Sequence, residues 1–362
     1  MISQKNLMVL GAAGIAAIAL ALWASSAHRS SEALSSGGSV LPGFTDRINA
    51  VTEVHIFKGD GTHATLTRTP TGWVVGERGY PADSSAIRKL LLDLSNLSVV
   101  EQKTSDPARY AQLGVEDVKG AQATGTEVDV EPGSVKLIVG KAGADGGYVR
   151  LAGQAGSLLA TPQLSPDADP RRWLDKTLLD LSSDAVQEVD LSPESSPAYR
   201  ISRPDAKQAD FTVAGLPHGR ELLSPGIADP IAAALTDLQL DDVRRNAVTT
   251  GAEHVTFKTF DGLTVQVTGS RDGDRRYLIV AATADKPAAK AQSDAINTRT
   301  QGWDFEVPAY KYDAIFKKLD DLLKQPEKPA ARAKKGAESA LPGALPRSPT
   351  PGAPQASPIP RK

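Results

Sequence analysis

The sequence predicts an α+β fold: two similar, duplicated units of mainly antiparallel sheet with packed helices, behind one N-terminal transmembrane helix. Three observations lead there. Val51-Thr52-Glu53-Val54-His55-Ile56 recurs as Val186-Gln187-Glu188-Val189-Asp190-Leu191, and internal self-similarity constrains a fold more than any single motif. Each copy precedes a helix pattern of the same spacing: Ile87, Leu90, Leu91, Leu94 in the first and Ile231, Ala234, Leu235, Leu238 in the second. Short β-rich runs parted by glycine turns surround these few helices, the pattern of antiparallel sheet with helices packed on it.

Leu7 to Trp23 is an unbroken run of apolar and small residues. As a helix it would be about 25 Å long at ~1.5 Å per residue, close to what a bilayer core of about 30 Å requires. Residues 1–6 then stay in the cytoplasm and the body lies across the membrane. Ser25 and Ala27 leave a cleavable signal as the alternative. Residues 24–45 read as a flexible tether. Unit one is expected over 46–182, unit two over 183–324, and a disordered Pro/Ala-rich basic tail over 325–362. That tail holds nine prolines and seven Lys or Arg against two Glu, so it cannot bury an apolar face.

In unit one, Val54–Phe57 and Thr65–Thr67 read as strands around Lys58-Gly59-Asp60-Gly61, because Asp-Gly tolerates positive φ. With a two-residue turn at Asp60-Gly61, Lys58 faces His63 and His55 faces Leu66. Gly72–Val75 is a third strand, and Asp83 caps a helix over residues 84–96. Val135–Val139, Tyr148–Leu151 and Ser157–Ala160 are further strands. Asp169-Pro170 starts a helix bearing Trp173, Leu174, Leu178 and Leu181. In unit two, Asp229-Pro230 starts the helix bearing Ile231. Val255–Phe257 and Leu263–Val267 flank an Asp261-Gly262 hairpin. Gly302–Val307 is a strand, and Pro308 opens a closing helix with Tyr312, Ile315, Phe316, Leu319, Leu322 and Leu323 on one side.

The chain has no cysteine and a net charge of −2. That excludes disulfides and thiolate metal sites, and gives no general pull toward nucleic acid. It fits a bacterial periplasmic protein that folds without oxidation.

No catalytic, cofactor-binding or metal residue is assigned, and no cofactor is expected. His55 and His63 fall on opposite faces of the expected hairpin and cannot share an ion. His218 and Glu221 read as solvated loop residues. No Gly-x-Ser-x-Gly or phosphate-loop spacing occurs, so Gly140–Gly147 reads as turns. The doublets Arg171-Arg172 and Arg275-Arg276 read as a helix start and a hairpin edge, and Trp73, Trp173 and Trp303 as core plugs.

Several segments in this order resemble the 4340 family of domains of unknown function: Gly72–Val75, Tyr110–Val115, Val135–Gly140, Gly147–Arg150, Trp173–Lys176, and Gly302-Trp303 through Tyr310 to Leu323. The resemblance covers most of residues 46–324. It implies a single-pass protein of the bacterial inner membrane with its body in the periplasm, of a kind that often accompanies ABC-2-type transporters. No catalytic or ligand residues come with the family. The expected function is therefore a membrane-tethered interaction module, accessory to an ABC-2-type export or envelope-assembly system. Its partners would be the inner membrane and a transporter or other envelope protein, not nucleic acid, with the tail touching anionic envelope polymer. The alternatives are an envelope hydrolase or sugar-modifying enzyme, and a passive envelope scaffold.

Overall fold

A computed structural model describes residues 36–208, 210–245 and 253–325. The expected span Leu7–Trp23, the first part of the tether and residues 326–362 of the tail lie outside the described residues. Among the described residues no helix is long and apolar enough to cross a membrane.

In the first half, strands β1 (Glu53–Lys58), β2 (His63–Thr69), β3 (Gly72–Val75) and β4 (Tyr80–Pro81) form a meander. The helix Ser84–Ser95 then leads to β5 (Ser98–Gln102), and a second meander follows: β6 (Thr126–Glu131), β7 (Val135–Gly143), β8 (Gly146–Leu151) and β9 (Ser157–Thr161). Their order across the sheet is β4-β3-β2-β1-β6-β7-β8-β9-β5. The strand β10 (Thr177–Leu179) links the halves. The second half has β11 (Val186–Ser192), β12 (Tyr199–Ser202), β13 (Thr212–Ala214), β14 (Leu238–Gln239), β15 (Asp242–Arg245), β16 (Glu253–Thr259), β17 (Leu263–Asp272), β18 (Arg275–Ala284) and β19 (Trp303–Glu306). Its sheet runs β13-β12-β11-β16-β17-β18-β19-β15. Apart from the two-residue β4, this is the first order again, and the repeated hexapeptide marks β1 and β11 at the same place in each. All recorded strand pairs are antiparallel.

The strands bury alternate residues, as period-two pleating requires: Val54 and Ile56 in β1, Val255 and Phe257 in β16. The helix Ser84–Ser95 starts where Asp83 accepts from the Ser85 and Ala86 amides, which satisfies N–H groups with no partner inside the helix. Its stripe of Ile87, Leu90, Leu91 and Leu94 is buried. One continuous apolar cluster includes these residues together with Leu191, Leu235 and Phe305 of the second half. A smaller cluster of Tyr110, Val115, Val118 and Ile138 lies on the other face of the first sheet. There the buried Arg150 donates to the Val115 and Gln154 carbonyls at 2.7 and 3.0 Å and to Asp117 at 2.5 Å.

Several expectations are corrected. The tether ends before residue 45: Val40, Leu41 and Phe44 are buried, and the Gly37 amide donates to Val99. The helix expected from Asp169 is a single 3-10 turn, Pro170–Trp173, followed by β10. The second amphipathic helix is only Asp229–Ala232. Ile231, Ala234, Leu235 and Leu238 are all buried, but Leu238 belongs to β14, paired with β10. Pairing with β10 claims the backbone that a longer helix would need. The helix Lys290–Thr300 was not legible because its sequence lacks an apolar stripe. It is tied down by polar bonds instead: Asn297 accepts from and donates to the Ala282 backbone at 2.8 and 2.7 Å.

The first hairpin also differs. Lys58 donates to the Thr62 carbonyl, and Phe57 faces His63 while His55 faces Thr65. The loop therefore holds three residues, Gly59, Asp60 and Gly61, with Gly61 at φ 90°. Asp60 accepts from the Thr62 amide at 2.8 Å, closing the extra residue as a bulge. A one-residue slip moves side chains to the other face, so His55 and His63 share a face. A Cβ on Gly59 would meet the Gly120 carbonyl oxygen at 2.0 Å.

The core predicts a stability contrast. Leu235→Ala should lower unfolding free energy by about 2–5 kcal/mol, the cost of truncating a fully buried leucine. Leu92→Ala, on the exposed face of the helix Ser84–Ser95, should change it by less than about 0.5 kcal/mol. Urea denaturation measures both, and equal effects would contradict the assigned core.

Candidate functional site

Two residue types at the joint between the halves define a charged cleft, charged side chains and the aromatic rings beneath them. The turn between β3 and β4 enters from the first half. The Arg78 and Gly79 amides both donate to Val75, and Gly79 sits at φ 63°, a conformation that suits glycine. Tyr80, 1% exposed, is thereby driven into the second half. It meets Trp303 edge-on at 5.1 Å and Phe305 at 6.0 Å. Burial pushes its hydroxyl up to about 12.

Beside this plug, Arg78 donates to both oxygens of Asp242 at 2.7 and 2.9 Å, the fork geometry that suits guanidinium and carboxylate. Asp242 also accepts from the Val243 amide at 2.8 Å. Its bond raises Arg78 above the usual arginine range against the opposing effect of burial. Arg244 lies over Tyr277 at 3.6 Å and donates to Asp304 at 3.1 Å and Asp272 at 3.0 Å. Arg245, on the alternate face of β15, lies over Trp303 at 3.9 Å. Arg275 approaches Glu306 at 3.7 Å. Glu77 completes the acidic lining of a cleft of about 440 Å³. Because β15 ends its sheet, arginines from both of its faces reach the same cleft.

The four sheet ends are closed to different degrees. β4 is bridged by Leu174 through Ala82, and β5 by residues 37–40. At β15 the Val243 amide is occupied by Asp242. Among the described residues, neither β13 nor β15 has a neighbouring strand or a bridge recorded beyond it.

The residues singled out from sequence fall elsewhere. His55 Nε2 lies 3.7 Å from Glu53 and His63 Nε2 3.7 Å from Glu77. Among the described residues no group of three His, Cys, Asp or Glu is arranged to hold a metal. His218 is exposed in its loop, and His254 contacts Thr268 at 3.2 Å. Trp173 and Trp303 are buried and Trp73 half-buried in the core. Lys141, in the glycine-rich connection, donates to the Gln112 carbonyl. Arg171 grips Asp169 and holds that carboxyl below its ordinary range, while Arg172 lies 3.4 Å from Asp167. Of the basic doublets, only Arg275 lines the cleft.

Arg78, Asp242, Arg244 and Arg245 were missed. The available signal was the run Asp241-Asp242-Val243-Arg244-Arg245, two acids and two arginines in a strand-length segment. A second depression of about 540 Å³ lies around the exposed Tyr310, with Lys176, Asp237 and Lys311 on its walls.

The joint yields a second prediction. Arg78→Ala leaves the Asp242 carboxylate, 9% exposed, without its forked partner. That should destabilise the body by about 1–3 kcal/mol, the range for removing one partner of a buried polar group, with Arg78→Lys losing less. A shift in the urea midpoint measures this, and an unchanged midpoint would mean the pair does not hold the joint.

The family model described as Domain of unknown function (DUF4340) matches residues 73–258, from β3 of the first half into β16 of the second. The closing segment Gly302–Leu323 lies outside that match. No curated protein and no solved structure gives a match.

Proposed function

The chain belongs to the DUF4340 family, and we propose that it serves there as a non-enzymatic interaction module, tethered to the bacterial inner membrane with its body in the periplasm, accessory to an ABC-2-type export or envelope-assembly system. The cleft at the joint carries this reading. Four arginines and four carboxylates line one open depression, with Arg244 and Arg245 already immobilised on aromatic rings. Pre-ordered charged groups suit recognition of another surface, because less side-chain freedom is lost on contact. Charge complementarity then gives partner choice and fast encounter.

The membrane placement rests on the apolar run Leu7–Trp23, and the compartment on the absence of cysteine. Strand addition has limited room here, since two of the four sheet ends are bridged and the Val243 amide of a third, β15, is occupied by Asp242, so recognition through side chains is the better fit.

Complementation of a deletion strain tests the reading. Function should survive His55→Ala, His63→Ala, His218→Ala and His254→Ala, and should be lost when the body is cut from its anchor. Loss of function from one histidine substitution, in a protein that remains folded and membrane-bound, would favour the enzyme alternative instead.

A further inference from the structure

We infer that the joint cleft receives a carboxylate side chain of an acidic peptide segment, with Arg245 as the guanidinium that binds it. This rests on the interaction-module reading and names the chemistry of its partner. The argument is a matching of charges. Arg78 is taken by Asp242 through two bonds. Arg244 is taken by Asp304 and Asp272, and Arg275 faces Glu306. Among the described residues no carboxylate pairs with Arg245, although four line the same cleft.

Arg245 is nevertheless held in place. Its guanidinium lies 3.9 Å over the Trp303 ring, and one of its terminal nitrogens approaches the backbone at Gly79, 3.6 Å from where a Cβ would stand. Trp303 is itself fixed by the buried Tyr80. A guanidinium held over a ring still presents a planar fork of N–H groups, of which a carboxylate can accept two. Stacking also removes side-chain freedom before the partner arrives.

The surrounding charge selects the ligand. Glu77, Asp242, Asp272 and Glu306 line the cleft. A phosphate near −2 would be repelled by them more than a single carboxylate, and among the described residues lining the cleft only the Arg245 guanidinium has no carboxylate partner and can offset the cost. The cleft is also open and far larger than one carboxylate, leaving space for the flanking residues of a chain.

Fluorescence anisotropy on the full-length chain in detergent tests this with a labelled peptide of alternating Glu and Ala, its Gln counterpart, and inorganic phosphate as competitor. The Glu peptide should bind at least about tenfold more tightly than the Gln peptide. Arg245→Gln should weaken it at least about tenfold, and Arg245→Lys by an intermediate factor because the charge remains and the fork is lost. Equal binding of both peptides would overturn the inference. So would unchanged binding by a folded Arg245→Gln protein, or phosphate binding more tightly than the Glu peptide. A photo-crosslinking residue in place of Asp274, in the turn before Arg275, separates the two proposals in cells. Capture of the same partner by wild type and Arg245→Gln leaves the interaction module standing and overturns the role of Arg245. Loss of capture in Arg245→Gln supports both.

Discussion

The burial of Tyr80 is the contact on which the joining of the two halves depends. A short turn of the first half carries this ring between Trp303 and Phe305 of the second, and edge-on aromatic pairs contribute beyond the area they bury. The plug fixes the neighbours too. It places Arg78 against Asp242 on one side and holds Trp303 beneath Arg245 on the other. A second tie, the β10–β14 ribbon, joins the chain leaving the first half to the segment entering β15. The halves consequently share one apolar cluster, and both sheets fall within one compact unit ending at Leu323.

The repeat explains how such a joint arises from similar parts. Each half uses a meander, a crossing segment and a return meander, so that the strand after the crossing lies at the far end of its sheet. The differences are at the ends. In the first half that last strand, β5, is covered by residues 37–40. In the second, β15 keeps its side open to the cleft, and its Asp242, Arg244 and Arg245 mark it as the charged end. The crossing segment differs as well: a capped three-turn helix in one half, a single turn in the other, where β14 takes over part of the chain.

The candidate cleft follows from these asymmetries. No local motif encodes it. Arg78 and Asp242 lie 164 residues apart, and their pairing needs both sheets assembled. The arginines are ordered by rings that belong to the core, which couples the shape of the surface to the packing below it.

From the sequence alone, the α+β class with mainly antiparallel sheet, the place of the repeat, the Asp83-capped helix and the family were legible. They rest on local signals: alternation of apolar residues, helical spacing, a capping side chain and the order of short segments along the chain. The tertiary structure decided the rest. It shortened the second helix because β10 competes for its backbone, and stabilised the polar helix Lys290–Thr300 through Asn297. It also moved the hairpin register by one residue through Asp60 and Gly61. Above all it brought Arg78 to Asp242 and Arg245 to Trp303, contacts set by long-range packing that no spacing along the chain could reveal.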